Sequence, residues 1–410
     1  MTRPDPDLTS PDSFVDGAPH ELFRRLRREA PVSFHPEAAG TGPGFWVLTK
    51  HADVKWVSKS PELFSSARGG TNIFDLDPAA LAQIRALMLN MDPPDHRRFR
   101  NIVNKAFTPR VVQSLLPRVQ QMARRIVNGV CEKGSCDFVN DVASHLPMEV
   151  ICEMMGVPQE DRQGIYDLTN RLIGFDDPEF QTSQEDGKLA AIAMFVYAAK
   201  MAERARRRPG DDLTSLLLAA EVDGQKLSEL EFNSFFMLLC VAGNETTRTV
   251  TTHGIHGLIR HRDEMQRVQR DLSLLESAVE EILRYEPAVH YFRRTATRDV
   301  ELRGQKIREG DKLTLWYPSV NRDEEVFEDP DRFDVTRSPN DHLAFGVGEH
   351  FCLGSHLARM ELRVIFREVL TRLPDIELAG PVRRLRSNFI NGVKTMPVRF
   401  TPSKPISLDA

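Results

Sequence analysis

Cys352 sits in the stretch Phe345-Gly346-Val347-Gly348-Glu349-His350-Phe351-Cys352-Leu353-Gly354, a glycine-rich turn just ahead of a helical pattern. Glycines at 346, 348 and 354 let the backbone turn tightly and bring N–H groups close to the sulfur. The helix that follows would aim its positive end at the same atom and favour thiolate over thiol. A thiolate held this way is a metal ligand or a nucleophile. Nucleophilic use needs a general base, and His350, two residues away, is the candidate. A small buried thiol with no chemistry is the third reading. A dinucleotide-binding loop is excluded, because Phe351 occupies the third glycine position and no βαβ unit surrounds it.

Three further sets of residues carry potential chemistry. Ala242-Gly243-Asn244-Glu245-Thr246-Thr247 interrupts an otherwise apolar helix with an acid and hydroxyls. Such groups are costly in a core unless satisfied. Either a threonine bonds the carbonyl of the preceding turn and kinks the helix, or Gly243 opens a groove in which Glu245 and Thr246 hold water and relay protons. Glu281-x-x-Arg284 places an ion pair on one helix face. The adjoining apolar stripe suggests burial, and Arg332 in Asp331-Arg332-Phe333 is the candidate third partner. Finally, His96 and Arg100, spaced i and i+4, could meet one anionic group, as could Arg294 and His350.

The elements that must position these groups are mainly helical. Residues 92–107 read as a helix whose first turn tolerates Pro93-Pro94. Beyond a turn at Asp223-Gly224 lies one very long helix, apolar on nearly all sides around residues 235–241, which places it in the centre of the molecule. Leu274, Leu275, Ala278, Val279, Ile282 and Leu283 recur at helical spacing. Residues 44–50 read as a strand, and residues 292–320 alternate and turn through Gly304 and Gly310, reading as short strands and hairpins. Residues 353–373 are again an amphipathic helix. The expectation is a mainly α protein with a small β-rich portion and no βαβ alternation. A flexible tail over residues 1–14, one domain over 15–402 and a C-terminal tail over 403–410 complete the division.

The chain has 410 residues, 41% hydrophobic and 28% charged, with a formal net charge of -5. That charge argues against a nucleic-acid partner, since no positive excess displaces counterions from phosphates. No run is long enough to span a membrane and the N-terminus carries no signal-peptide core, so the cytosol is the expected location. The five cysteines are odd in number and lack zinc-site spacing; free thiols are expected.

Together these motifs resemble the cytochrome P-450 family of heme-thiolate monooxygenases, over residues 15–400. F-G-x-G-x-H-x-C-x-G, A-G-x-E-T and E-x-x-R are all complete, with D-R-F between the last of these and the cysteine. The resemblance implies heme b between the long central helix and the cysteine loop, with Cys352 as the iron ligand. It assigns His96, Arg100, Arg294 and His350 to the heme propionates and packs Phe345 against the porphyrin. Glu281, Arg284 and Arg332 become a structural triad. Thr246 and Glu245 become the alcohol–acid pair that delivers protons. The implied reaction inserts one oxygen atom from O2 into a C–H bond. Its electrons would come from a separate ferredoxin and an NAD(P)H-dependent reductase. Arg97, Arg110, Arg359 and Arg363 are candidates for the docking patch.

Within the family, residues 172–180 and two later stretches are similar to the soluble bacterial group acting on steroid side chains, branched lipids and terpenoids. A monomer without a membrane anchor is expected. Candidate pocket residues are Ile73, Phe74, Met88, Leu89, Val241, Ala242, Val289, Tyr291, Phe389 and Ile390, mostly apolar as a lipophilic substrate requires. His290 adds a polar group that could meet a hydroxyl or ketone. The rival readings are a peroxide-using peroxygenase, which has no use for an acid–threonine relay, and a non-catalytic heme sensor or carrier.

Overall fold

The computed structural model describes residues 5–38, 42–173, 177–180, 183–222 and 224–408. Its organising element is the central helix, Glu229–Arg260, 32 residues long. Ser228 starts it with a capping box: its hydroxyl accepts from the Glu231 N–H at 3.2 Å while the Glu231 carboxylate accepts from the Ser228 N–H at 2.8 Å, satisfying two end donors reciprocally. Arg98, from helix Asp95–Val103, also pairs with Glu231 and ties the two helices together. Phe232, Phe235, Phe236, Leu239 and Cys240 are all buried, as expected for a helix enclosed by its neighbours.

Those neighbours are helices His145–Met155, Gln184–Arg207, Leu275–Tyr285 and Ser355–Arg372. Two glycines let them approach. A Cβ at Gly243 would lie 2.7 Å from Ile151 Cδ1, and one at Gly254 would lie 2.4 Å from Phe366 Cζ. At Gly243, therefore, Ile151 fills part of the groove expected from sequence.

The β portion is a five-stranded sheet in the order Val32–His35, Phe45–Leu48, Lys312–Trp316, Tyr291–Ala296, Phe64–Ser65, with smaller two- and three-stranded sheets beside it. The pairing of Lys312–Trp316 with Phe45–Leu48 is parallel and the others are antiparallel. The hairpin of Val300–Leu302 with Gln305–Ile307 turns through Gly304 at φ +76°. Gly224 at φ +76° also lies where a turn is expected; residue 223 is outside the described residues.

The expected tails need correction. Leu8 and Phe14 are buried in a cluster with Tyr291 and Trp316, and Asn388 Nδ2 donates to the carbonyls of Leu8 and Thr9. Two apolar side chains in a polar, proline-rich stretch are enough to dock it. At the other end, Ile406 exchanges two hydrogen bonds with Asn128. All five cysteines are free. Among the described residues no helix is long and apolar enough to cross a membrane.

Candidate active site

The cysteine loop closes on itself. The Cys352 N–H donates to the Phe345 carbonyl at 2.9 Å and the Gly346 N–H to that of Leu343 at 2.9 Å. Gly346 and Gly348 adopt φ +66° and +80°, a region that side chains disfavour. Gly348 is the tighter constraint, since a Cβ there would lie 2.5 Å from the Ser58 carbonyl oxygen. Burial pushes the Cys352 thiol up, against the Gly354 N–H and the charges of Arg100 and Arg359, which pull it down. The thiolate bias expected from the helix end is thus outweighed by burial. His350 is itself held well below the usual histidine range by burial and by Arg294 and His96. Its Nε2 lies 3.2 Å from Ser66 Oγ, so it is engaged away from the sulfur.

The loop is pinned from behind by a buried network. Arg284 Nε and Nη2 donate to Glu281 at 2.7 and 2.8 Å, both side chains fully buried. Arg284 also donates to the carbonyls of Asn321, Pro330 and Arg332. The third partner is not Arg332, whose side chain is 61% exposed and, among the described residues, pairs with Asp334 alone, at 4.0 Å. Arg337 takes that place: its Nε lies 3.1 and 3.3 Å from the two Glu281 oxygens, and its Nη groups hold the carbonyls of Glu328, Asp329 and Arg332. Arg332 contributes only its carbonyl, because the chain turns its side chain outward there. Asn321 Oδ1 then accepts from the Leu343 N–H at 2.8 Å and carries the network to the cysteine loop.

A cavity of about 250 Å³ opens between the loop and the central helix. Cys352, Phe345 and Gly346 form one wall and Ala242, Gly243 and Thr246 another, with His96, Arg100, Arg294 and His350 among the other lining residues. The four nitrogen-bearing side chains are short of anions. Neither ring nitrogen of buried His96 has a hydrogen-bond partner; the Glu349 carboxylate lies 3.9 Å from its Nδ1, and its ring packs 4.3 Å from that of His350. Arg294 donates to the Arg293 carbonyl at 2.8 Å, and Arg100 to the Phe351 carbonyl at 2.7 Å and to Asn104. Among the described residues neither arginine forms an ion pair, and burial lowers the pKa of both. Such desolvated donors need an anion brought in from outside. The residues present therefore fit a group bearing an iron for Cys352 and carboxylates for these four side chains.

On the opposite wall, Thr246 Oγ1 donates to the Ala242 carbonyl at 2.7 Å, the backbone bond that a kinked helix predicts. The Glu245 carboxyl is buried, pairs with Arg248 and lies 3.3 Å from Thr249 Oγ1. Burial pushes its pKa up, against the pull of Arg248 and Thr249.

Of the expected pocket residues, Met88, Leu89, Ala242 and Val289 line the cavity. The others do not, and strand alternation explains Tyr291. On Tyr291–Ala296, Phe292 and Arg294 face the cavity, whereas Tyr291 packs on Trp316 and Arg293 pairs with Asp75. Ile73 joins the same cluster as Tyr291. Phe74, next to it, is only partly buried and is not among the lining residues. The His290 ring lies 4.7 Å from Phe14, away from the cavity. Val241, Phe389 and Ile390 share a small apolar cluster with Leu385 and Val289. Phe107, Ile151, Phe235, Leu239 and Phe292 line the cavity but escaped the sequence reading, since nothing distinguishes them from core residues. Residues 174–176, within a stretch used for the finer resemblance, lie outside the described residues. In the expected docking patch, Arg97 pairs with Glu349, Arg359 holds Glu280 at 2.7 Å and stacks 4.5 Å over Phe345, and Arg363 lies 3.8 Å from Glu276.

Comparisons with known proteins agree with this geometry. The pattern of the family described as Cytochrome P450 matches residues 18–374. The methyl-branched lipid omega-hydroxylase of Mycobacterium tuberculosis is 45% identical over 399 residues, 95% of this chain and 92% of that protein. The steroid C26-monooxygenase of Rhodococcus jostii is 38% identical over 402 residues, covering 96% and 84%. A cytochrome P450 of Mycobacterium marinum, solved in complex with pseudoionone, superimposes with a TM-score of 0.88 at 39% identity, over 93% of this chain and 94% of that one. With its cysteine loop, its anion-poor donors and its threonine-bearing central helix meeting at one cavity, this chain belongs to the cytochrome P450 family and is an oxidoreductase of the monooxygenase type that works with a heme iron.

Proposed function

We propose that the chain hydroxylates a lipophilic substrate, a branched lipid, steroid side chain or terpenoid, at an alkyl end, using heme b. The observation that carries this reading is the lining of the cavity. Around Thr246, the central helix, Val289 and Phe292 present apolar side chains, and the hydroxyls of Thr246 and Thr247 are the polar side-chain groups of that wall. Such a wall binds hydrocarbon by excluding water and offers a polar headgroup little. The names of the relatives agree, since they place oxidation at the omega carbon of a methyl-branched lipid and at C26 of a steroid.

Heme, when bound, supplies the activation of O2 and the oxidation of the C–H bond. In this reading Cys352 holds its iron, and His96, Arg100, Arg294 and His350 neutralise its propionates. Thr246 gives its own hydrogen to the Ala242 carbonyl, which leaves its lone pairs free to accept a proton-bearing partner from the cavity. Glu245, one residue away, is the acid that supplies protons. The relay favours O2 over peroxide as the oxidant, and turnover over mere carriage of heme.

Electrons come from a separate ferredoxin and an NAD(P)H-dependent reductase in the cytoplasm, with the chain acting as a monomer. Arg110, exposed and without an ion pair among the described residues, is the free charge of the docking patch. The test is a screen of sterols, terpenoids and branched fatty acids for the spin-state shift that follows displacement of water from the iron. It is combined with Thr246→Ala turnover. Binding of branched or steroidal substrates, and loss of product per NAD(P)H in Thr246→Ala with heme content intact, are the expected results. Full coupling in that variant overturns the relay.

A further inference from the structure

We propose that the outward face of helix Gln184–Arg207 is a docking surface for an anionic lipid bilayer, on which the protein lies without crossing it. The choice of lipid as the occupant rests on the reading of the substrate as lipophilic.

Helix Gln184–Arg207 is apolar on two opposite sides. Met194, Ala198, Met201 and Ala202 are buried in the main core, where neighbouring Tyr197 meets Phe236 of the central helix, ring centroids 6.0 Å apart. Leu189, Ile192 and Val196 recur at i, i+3 and i+7, which puts them on one stripe. Successive residues step about 100° around the axis, so this stripe lies opposite the buried side. The three are 53%, 60% and 65% exposed, and Ile192 and Val196 are the most exposed large apolar side chains among the described residues. Ala193 beside them is exposed as well. A helix at the surface of a globular protein normally turns charged and polar side chains outward. Apolar residues exposed singly need no explanation, but three on consecutive turns form a patch that marks an interaction surface.

The charges around the stripe select its occupant. Lys188 lies at one end and Arg204, Arg206 and Arg208 at the other, all exposed, and none forms an ion pair among the described residues. Lys200 is exposed too, its Nζ 4.0 Å from Asp161. Of the acids on the helix, Asp186 pairs with Arg171 and Glu203 with Arg207, which leaves Glu185 to oppose those cations. A second copy of the chain would set this cationic margin against itself, whereas the phosphates of anionic lipids complement it. Lysine and arginine stems can lie along the apolar stripe while their charges reach the headgroups. A helix used in this way lies in the plane of the interface. It also rests on the central helix, whose Phe235, Leu238 and Leu239 line the cavity. A bilayer seated here therefore brings hydrocarbon to within one helix of the site that oxidises it.

The experiment sediments the heme-loaded full chain with vesicles of phosphatidylcholine, alone or mixed equally with phosphatidylglycerol, and measures the bound fraction against lipid concentration. Binding to the mixed vesicles is expected, at least about tenfold tighter than to phosphatidylcholine and weaker as salt screens the cations. Ile192→Glu and Val196→Glu should each weaken it by about tenfold, since an apolar contact is exchanged for a repelled charge. The Arg204→Glu, Arg206→Glu double variant should lose at least about as much. Val326→Glu, at an apolar residue exposed elsewhere, should leave binding unchanged. All these side chains are exposed, so the variants should fold, which heme content and the reduced carbon monoxide band check. Absence of binding to mixed vesicles, or binding that Ile192→Glu and Val196→Glu leave intact, would overturn the proposal. A dimer in sedimentation velocity that Ile192→Glu dissolves, with no vesicle binding, would overturn it in favour of a second copy. The spin-state screen separates this proposal from the proposed function. Absence of vesicle binding with branched lipids still shifting the spin state overturns the docking surface alone. Vesicle binding with no such shift leaves the surface standing and overturns the substrate reading.

Discussion

Replacing Arg337 by alanine should cost far more than the same change at Arg332, although both arginines lie in one polar, irregular stretch. Arg337 is 10% exposed at its side chain and donates Nε to the fully buried Glu281 carboxylate. Its remaining donors serve three carbonyls close to the surface, which water can satisfy once they are freed. The loss is therefore dominated by the charge-assisted bond to Glu281, about 2–3 kcal/mol. The ceiling for breaking a buried pair is not reached, because Arg284, the Asp334 N–H and Asn340 still hold the carboxylate. The Arg332 side chain is exposed and 4.0 Å from Asp334, so its removal costs about 0–0.5 kcal/mol. Its carbonyl, the part Arg284 uses, survives the substitution.

Unfolding entropy of about 2.1 cal/mol/K per residue, applied to 410 residues, converts the Arg337 loss to about 2–4 °C in Tm. The Arg332 change should stay below about 1 °C. Thermal unfolding of the heme-loaded protein, followed by circular dichroism and by the heme absorbance band, measures both. Equal losses in the two variants, or a larger loss for Arg332→Ala, would refute the assignment of Arg337 to the network.

Three other outcomes follow from the geometry. Gly348→Ala, with φ at +80° and a Cβ 2.5 Å from the Ser58 carbonyl oxygen, should displace the cysteine loop and lower the heme bound per chain, read by pyridine hemochrome assay. Phe292→Ala should weaken substrate binding by about tenfold, about 1.4 kcal/mol of lost aromatic contact, whereas His290→Gln should leave the spectral dissociation constant unchanged. Glu280 is held down to about 2, its burial outweighed by hydrogen bonds from Arg359 and His342. A carboxylate with a depressed pKa stabilises the fold above its unfolded value of 4.5 and loses that contribution as pH falls towards 2. Acid titration of stability should accordingly flatten in that window in Glu280→Gln.

The cysteine loop was legible because it is local. A sulfur boxed by glycines needs only a tight turn, and the turn is written in ten consecutive residues. The pairing of Glu281 with Arg284 was legible for the same reason, since three residues on a helix always share a face. The central helix declared itself by being apolar all round. Choosing between Arg332 and Arg337 was a different matter. Both are cations five residues apart, and which one turns inward depends on the path of the chain between Asn321 and Leu343. His290 failed as a pocket residue for a related reason: it precedes the strand Tyr291–Ala296, and its ring packs on Phe14, a contact between segments far apart in the chain. The N-terminal stretch looked like a tail because its two anchors, Leu8 and Phe14, are invisible without the aromatic cluster that receives them. Sequence alone thus determined what neighbours in the chain can build: the glycine-boxed sulfur, the acid and alcohol on one helix, and the family to which they belong. Tertiary structure decided which face each of those groups presents. Glu245 and Thr246 are adjacent in sequence, yet one carboxyl is locked to Arg248 and one hydroxyl opens on the cavity, because a single helical step turns them about 100° apart.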